Sequence, residues 1–318
     1  MTFDLILHHY WTSPFSEKVR LILGHKKLAW RSVIVPTILP KPDVVALTGG
    51  YRRTPFMQIG ADVYCDSELM CRVIDALQPE PPLYPETSAG LGKIVAQWAD
   101  SALFWAAVPY TMQPAGIAHI FAGAAPEMVK AFGADRAAMS PHVRRAGLAD
   151  LAAQLQTYLS RVESLLADGR PFLLGALPCL ADFSVAQSVW FIRRAPPVAI
   201  LLDAFPRLRP WYERVQELGA QPKPEKLSAV EAIAICAAAR THAPAVVEPT
   251  LAHGLKQGDE VTVTPTDYAH DSVVGRLMGL TSGEVVVARD DARAGRVHVH
   301  FPRIGFQVRK QQPAASTA

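Results

Sequence analysis

Four cysteines in 318 residues, Cys65, Cys71, Cys179 and Cys236, are the chain's whole thiol complement, and no two of them form a CxxC pair. Their scatter excludes a disulfide framework and the ligand spacing of a zinc site, and it fits a reducing cytoplasm. Long apolar runs are also lacking: none approaches the roughly 20 residues that a membrane-crossing helix needs. The N-terminus is too short and too polar for a secretory leader. The net charge of +3 is not gathered into a dense Lys/Arg stripe. Nucleic acid is therefore not an expected partner, nor is a membrane, and no metal is expected. There is no internal repeat.

What is present is a sizeable apolar fraction, 50% hydrophobic against 19% charged, in a chain long enough for two or three domains. Residues 4–9 read as a short strand ending at Tyr10-Trp11-Thr12-Ser13-Pro14. Helical spacing follows through Val19, Leu21, Ile22 and Leu23 to Gly24, which reads as a stop. Residues 30–35 are β-rich, and a Pro-containing connection leads to Thr54-Pro55. Residues 56–65 carry a hairpin signal around Gly60, and Asp66-Ser67 stands where the next helix must begin. The order β-α-β-(α)-β-β-α is that of an α/β thioredoxin-like domain over residues 1–80.

The Pro-rich stretch 79–85 cannot continue a helix and reads as a linker. Residues 86–222 are Ala- and Leu-rich with helical periodicity, an all-α domain with helices expected at 87–108, 142–167, 180–193 and 207–218. A helical linker is expected over 223–244. Alternating strand patterns at 259–265, 272–278, 284–289 and 296–301, separated by Gly-containing turns, indicate a small all-β C-terminal domain over 245–312, a barrel or sandwich. At this size a separate core is marginal, so support from the helical block is expected. Residues 313–318 read as a disordered tail.

The strand–helix junction carries a resemblance. Ser13-Pro14-Phe15-Ser16-Glu17-Lys18-Val19-Arg20 resembles the motif of the glutathione transferase superfamily, in which a Cys or Ser precedes Pro-Phe and a basic, apolar helix follows. Glutaredoxins carry two cysteines at positions where this chain has Ser13 and Ser16, so dithiol exchange is not available here. The lack of a Cys at Ser13 also argues against omega-like thiol exchange and for a bacterial, serine-type enzyme. The resemblance implies that Ser13 activates glutathione. A hydroxyl donating to sulfur and the positive end of a helix both favour thiolate, and lowering the thiol pKa by about two units takes about 2.7 kcal/mol. Read from the residues alone, Ser13 caps the helix with Pro14 at its first position.

The resemblance further implies that Pro55 is cis and that Thr54 offers its main chain to the glutathione cysteine. Asp66 would meet the γ-glutamyl ammonium and Ser67 the γ-glutamyl carboxylate, at a helix N-terminus. Arg52 and Arg53 could reach the glycine carboxylate, though such charges are ordinarily solvated. Tyr10, Trp105 and Tyr110 are candidates for the substrate pocket, in an aromatic region that includes Trp98 and Phe104. The stretch 172–183 resembles the family's second-domain signature with Cys179 in place of the capping Thr or Ser, so Asp182 has a structural role.

The resemblance stops before the β segment, where His298 and His300 fall on one strand face and His270-Asp271 in a turn. A lid, dimer extension or partner-binding module is expected there. The implied activity is a cytoplasmic, homodimeric glutathione transferase that uses glutathione as co-substrate and adds it to a small hydrophobic electrophile; isomerase and dehalogenase chemistry share the same residues. The alternative is a non-catalytic transferase-fold protein that binds or regulates through its C-terminal β domain. A thiol oxidoreductase would need Cys65 as its reactive thiol.

Overall fold

All five side chains of Leu5–His9 are buried, as a strand covered on both faces requires. In the computed structural model, which describes residues 4–141 and 146–311, this strand (β1) pairs in parallel with β2 (Arg31–Ile34) and antiparallel with β3 (Phe56–Ile59). The hairpin partner of β3 is β4 (Asp62–Cys65). Helix α1 (Pro14–His25) follows β1, α2 (Pro42–Thr48) follows β2, and α3 (Ser67–Leu77) follows β4. The thioredoxin-like order expected from the sequence is present. Gly24 is not the stop of α1 but lies inside it, where an added Cβ would come within 2.2 Å of the Gly219 carbonyl oxygen. Only hydrogen fits where these two backbones meet, so the glycine serves packing rather than termination.

The helical domain runs from α4 (Ala89–Trp98) through a π-helical turn at Ala99–Leu103 into α5 (Phe104–Thr111). It continues through α6 (Pro114–Ile120), α7 (Pro126–Met139), α8 (Leu148–Leu165), α9 (Leu180–Arg193) and α10 (Pro196–Ala199) to α11 (Leu208–Leu218). The sequence gives no periodic signal for α6 or α7, and α7 is mostly exposed. Its first domain and α9 share one apolar core, built from Leu5, Val19, Leu23, Leu69, Phe183 and Val189 among others. The N-cap of α9 is Cys179, and the fully buried Asp182 accepts from the backbone N–H groups of Leu173 (2.8 Å) and Cys179 (2.9 Å) and from Trp211 Nε1 (2.9 Å). Three donors on one carboxylate tie α9 to α11 and to the loop before it.

After α11 the chain returns to the sheet. β5 (Glu225–Lys226) adds to the outer edge of β2, and α12 (Ala229–Ala238) packs beside α2. The short α13 (Pro249–Ala252) precedes β6 (Glu260–Pro265), β7 (Val273–Leu280), β8 (Glu284–Asp291) and β9 (Gly295–Pro302), an antiparallel meander. β10 (Phe306–Lys310) leaves β9 through a short turn yet pairs with β6 at the other edge of the meander, so the segment curls upon itself. The all-β C-terminal part is as expected in content, and the helical block touches it at Tyr268 and Ala269, but its main support is the sheet of the first domain. β9 pairs in parallel with β4, so all ten strands form one sheet in the order β10-β6-β7-β8-β9-β4-β3-β1-β2-β5. A second core joins Val35, Tyr51, Phe56 and Val63 of the first domain to Val261, Val287, Val299 and Phe301 of the last segment. The expected tail 313–318 lies outside the described residues, as does the expected helix start at 142–145.

Phe301, 1% exposed, packs edge-on to Tyr51 across this shared core. Phe301→Ala is expected to destabilise by about 3–5 kcal/mol. Calorimetry should show a single lowered transition, because the last segment shares its core with the first domain and has none of its own to melt; two resolved transitions would refute the shared core.

Candidate functional site

The end of β1, the start of β3 and the starts of α1 and α3 meet at one edge of the first domain. Ser13 is the N-cap of α1 in extended backbone (φ −82°, ψ 127°), with Pro14 at the first helical position. Its Oγ accepts from Ser16 N at 3.2 Å and donates to the Thr54 carbonyl oxygen at 3.4 Å. Ser13 and Thr54 are thus brought together, and the Thr54–Pro55 bond is cis. The hydroxyl hydrogen is engaged by Thr54, and the buried Thr54 Oγ1 has no partner. Asp66 caps α3 by accepting from Glu68 N at 2.9 Å, in an unusual backbone conformation with φ +74°. Ser67 is buried beside it.

Beneath these residues lies a buried ionic network that sequence reasoning missed. Lys18 Nζ, on α1, is 2.5 Å from Asp100 Oδ2 and donates to Ser67 Oγ at 3.4 Å. Asp100 sits in the π-helical turn, and Gln187 Nε2 (2.6 Å) and Ser184 Oγ (3.4 Å) of α9 donate to it as well. Burial alone would lower the Lys18 pKa, but Asp100 carries it above the ordinary lysine value, so the lysine is charged. The inserted residue of a π-turn re-aims side chains and recurs at functional sites. Here it points a carboxylate at the Lys18 ammonium, which in turn donates to Ser67. The available signal was a charged residue on each of two otherwise apolar helix faces.

At the other end of this edge, the arginines are not solvated as expected. Arg52 is buried and paired with Asp135 of α7, and its carbonyl accepts from Lys41 Nζ at 3.2 Å. Arg53 is buried and paired with Asp267, donates to the Tyr268 carbonyl, and lies over the Tyr268 ring at 3.9 Å from its centroid. Asp267 and Tyr268 belong to the β6–β7 connection, so the C-terminal segment forms a wall of this site. Burial, together with Arg136, pushes the Lys41 ammonium down to about 8. Tyr268 stacks edge-on to Trp105 at 5.3 Å, and Trp105 to Phe104, which packs on Phe15 next to Pro14. Tyr10 is half-buried against the second core, and its carbonyl accepts from Ser13 N.

Tyr110 is not brought in. Five residues beyond Trp105, it falls about 140° around the helix and packs on the helical core instead. A groove of about 710 Å³ lined by Gly24, Trp30, Gln221 and Pro222 opens at the opposite end of α1 from Ser13. All four cysteines are free and buried; burial and Asp66 push the Cys65 thiol well up, and burial raises those of Cys71, Cys179 and Cys236 to about 12. Burial disfavours the thiolate at each of them, which weighs against the Cys65 oxidoreductase reading. No helix among the described residues is long and apolar enough to cross a membrane.

Comparison with known proteins returns the family models for the glutathione S-transferase N-terminal domain, over residues 7–82, and C-terminal domain, over residues 144–214. No curated protein matches the chain. Among solved structures, a GST-like protein from Pseudomonas syringae is 40% identical, covers 98% of this chain and 100% of its own, and superposes with a TM-score of 0.79. Its likeness therefore extends over the C-terminal β segment. A glutathione S-transferase from Rhodospirillum rubrum F11 is 20% identical over 69% of this chain and 89% of its own (TM-score 0.50). The beta-etherase LigF from Sphingobium sp. strain SYK-6 is 17% identical over 69% of this chain and 98% of its own (TM-score 0.51). These two share the fold of the transferase part.

Lys18→Met leaves Asp100 buried without its counter-charge and is expected to destabilise by about 3–5 kcal/mol. Replacing both partners, as Lys18→Met with Asp100→Leu, should recover much of that loss in chemical denaturation. Additive losses in the double variant would show that the pair is not a unit.

Proposed function

The chain belongs to the glutathione transferase superfamily, and from that premise we propose that it binds glutathione at the head of α1 and α3 as a co-substrate. In this reading the transferase part comprises a glutathione-binding domain over 1–80 and a helical domain over 86–222. The reading rests on one observation above the others: the Ser13 hydroxyl lies at the N-terminus of α1 and 3.4 Å from the Thr54 carbonyl oxygen. When the hydroxyl turns its hydrogen toward the glutathione sulfur, it releases that carbonyl to accept from the glutathione cysteine N–H. One rotation therefore serves both thiol and backbone. The thiolate is favoured by the hydroxyl and by the helix's positive end.

Ser67 and the first amides of α3 receive the γ-glutamyl carboxylate, and Asp66 its ammonium. Arg53 meets the glycine carboxylate by exchanging Asp267 for it. The sulfur then forms a bond to an electrophilic carbon of a small hydrophobic substrate held against Tyr10, Trp105 and Tyr268. The leaving group departs, or the adduct takes up the proton lost by the thiol. Isomerase and dehalogenase reactions use the same thiolate. We place the enzyme in the cytoplasm, consistent with four unpaired thiols, and as a homodimer, as its family implies.

Ser13→Ala is expected to raise the midpoint of bound-thiol ionisation by about 1–2 pH units in ultraviolet titration, with glutathione affinity little changed. An unchanged midpoint would take Ser13 out of the mechanism. The prior pairing of Arg53 with Asp267 favours one competing reading, a non-catalytic protein that acts through its C-terminal segment; calorimetry showing no glutathione binding at millimolar concentration would establish it over ours.

A further inference from the structure

The seam where β9 joins β4 gathers histidines around a carboxylate, well away from Ser13 in the fold. Asp62 opens β4 and stands directly across from His298 of β9. His242 approaches from the connection after α12. Its Nδ1 is 3.8 Å from Asp62 Oδ1, and His298 Nδ1 is 4.0 Å from the same oxygen. The three ligand atoms all lie within 4.8 Å of one another. Both Nδ1 atoms are buried without a hydrogen-bond partner, and His298 is only 6% exposed.

Two orphaned imidazole nitrogens facing one carboxylate pose a problem of satisfaction. At 3.8 and 4.0 Å neither N–H reaches the oxygen, and an unprotonated nitrogen would turn a lone pair toward an anion. A cation between them resolves both defects. We infer that Asp62, His242 and His298 form a three-ligand site for a divalent transition-metal ion, with zinc the best fit. This departs from the expectation, drawn from sequence, that the chain holds no metal.

Two imidazoles and a carboxylate oxygen are the donors zinc accepts, at about 2.0–2.2 Å each. Ligand atoms around a tetrahedral ion at those lengths are about 3.4 Å apart. The two nitrogen-to-oxygen spacings need to close by about half an ångström. The rings of His242 and His298 are stacked, 3.6 Å between centroids and 14° between planes. Parallel rings cannot aim both lone pairs at one ion, so binding requires one ring to rotate. His242 is the one free to do so, since it lies outside any helix or strand and is partly exposed. The carboxylate is already held: Ala243 N donates to Oδ2 at 2.9 Å and His300 Nε2 lies 2.8 Å from Oδ1, with His300 Nδ1 paired to Glu284. Such outer contacts fix a ligand's orientation. The ion would pin the linker, β4 and β9 together and leave its fourth position to water.

The test uses the full-length protein, treated with chelator, dialysed, and titrated with zinc chloride in a calorimeter. One zinc per chain is expected, with a rise in the unfolding temperature. His242→Ala, whose side chain is the least buried of the three, should fold and bind about 100-fold more weakly or worse, since loss of even an outer contact weakens such sites 10–100-fold. His298→Ala and Asp62→Asn should lose binding likewise, and substitution of the exposed His270 should not. Cobalt(II) gives a second readout: bands of nitrogen and oxygen ligation support the assignment. No binding at tens of micromolar zinc, unchanged affinity in His242→Ala, or a thiolate-to-cobalt band that moves the ion to a cysteine would each overturn it.

Discussion

The parallel pairing of β9 with β4 is the contact on which the arrangement of this molecule turns. A thioredoxin-like sheet without it would end at β4, with a row of unpaired N–H and C=O groups along an exposed edge. Here Asp62, Val63 and Tyr64 face His298, Val299 and His300, and the edge is covered. The last segment thereby gains a core that it could not build alone, because Val63 and Phe56 become neighbours of Val299 and Phe301. The β6–β7 connection is carried to Arg53, and His298 is set against Asp62. One seam thus shapes the wall of the candidate glutathione site and the cluster of histidines.

Much of the first domain was legible because its signals are local. A capping Ser before Pro, a hairpin turn at Gly60 and an acidic cap before an apolar helix each report on a few consecutive residues, and the elements formed where they were read. The partner of β9 was not legible for a complementary reason. Alternation at 296–301 specifies a strand and its two faces, but nothing in a period of two names the strand it will lie beside. More than 230 residues separate the paired positions 62 and 298. The helix α7 escaped notice because it is mostly exposed and presents no apolar stripe. Gly24 was misread since a glycine required for close packing looks, in sequence, like one that ends a helix.

The same limit explains the charged residues. Arg52 and Arg53 read as solvent-facing from sequence, and Lys18 drew no reading of its own, because buried cations are rare unless paired, and pairing is a tertiary fact. Each has found its carboxylate in another part of the chain: Asp100 in the helical domain, Asp135 in α7, Asp267 in the β segment. Such pairs do little for stability relative to an apolar contact, yet breaking one is severe because a lone charge is left behind. They therefore act as registration devices. Lys18 and Asp100 hold α1 and α3 at a fixed setting against α9, and it is on α1 and α3 that Ser13 and Ser67 sit.

The pairing of Arg53 with Asp267 bears directly on whether binding and catalysis go together. If glutathione brings its glycine carboxylate to Arg53, one carboxylate replaces another on the same guanidinium. The arginine's interaction is then nearly conserved, and the net change depends on where Asp267 goes; its side chain is half exposed and returns easily to water. Tyr268 would move with it, since both residues lie on one short connection, and Tyr268 is the contact between Arg53 and Trp105. In the proposed reading, occupying the glycine end of the site therefore reshapes the aromatic wall against which the electrophile rests. A transferase with a bare Arg53 would lack that link. On that proposal the C-terminal segment would be part of the cleft rather than a module attached beside it, and glutathione binding would be coupled to substrate fit through a single displaced turn.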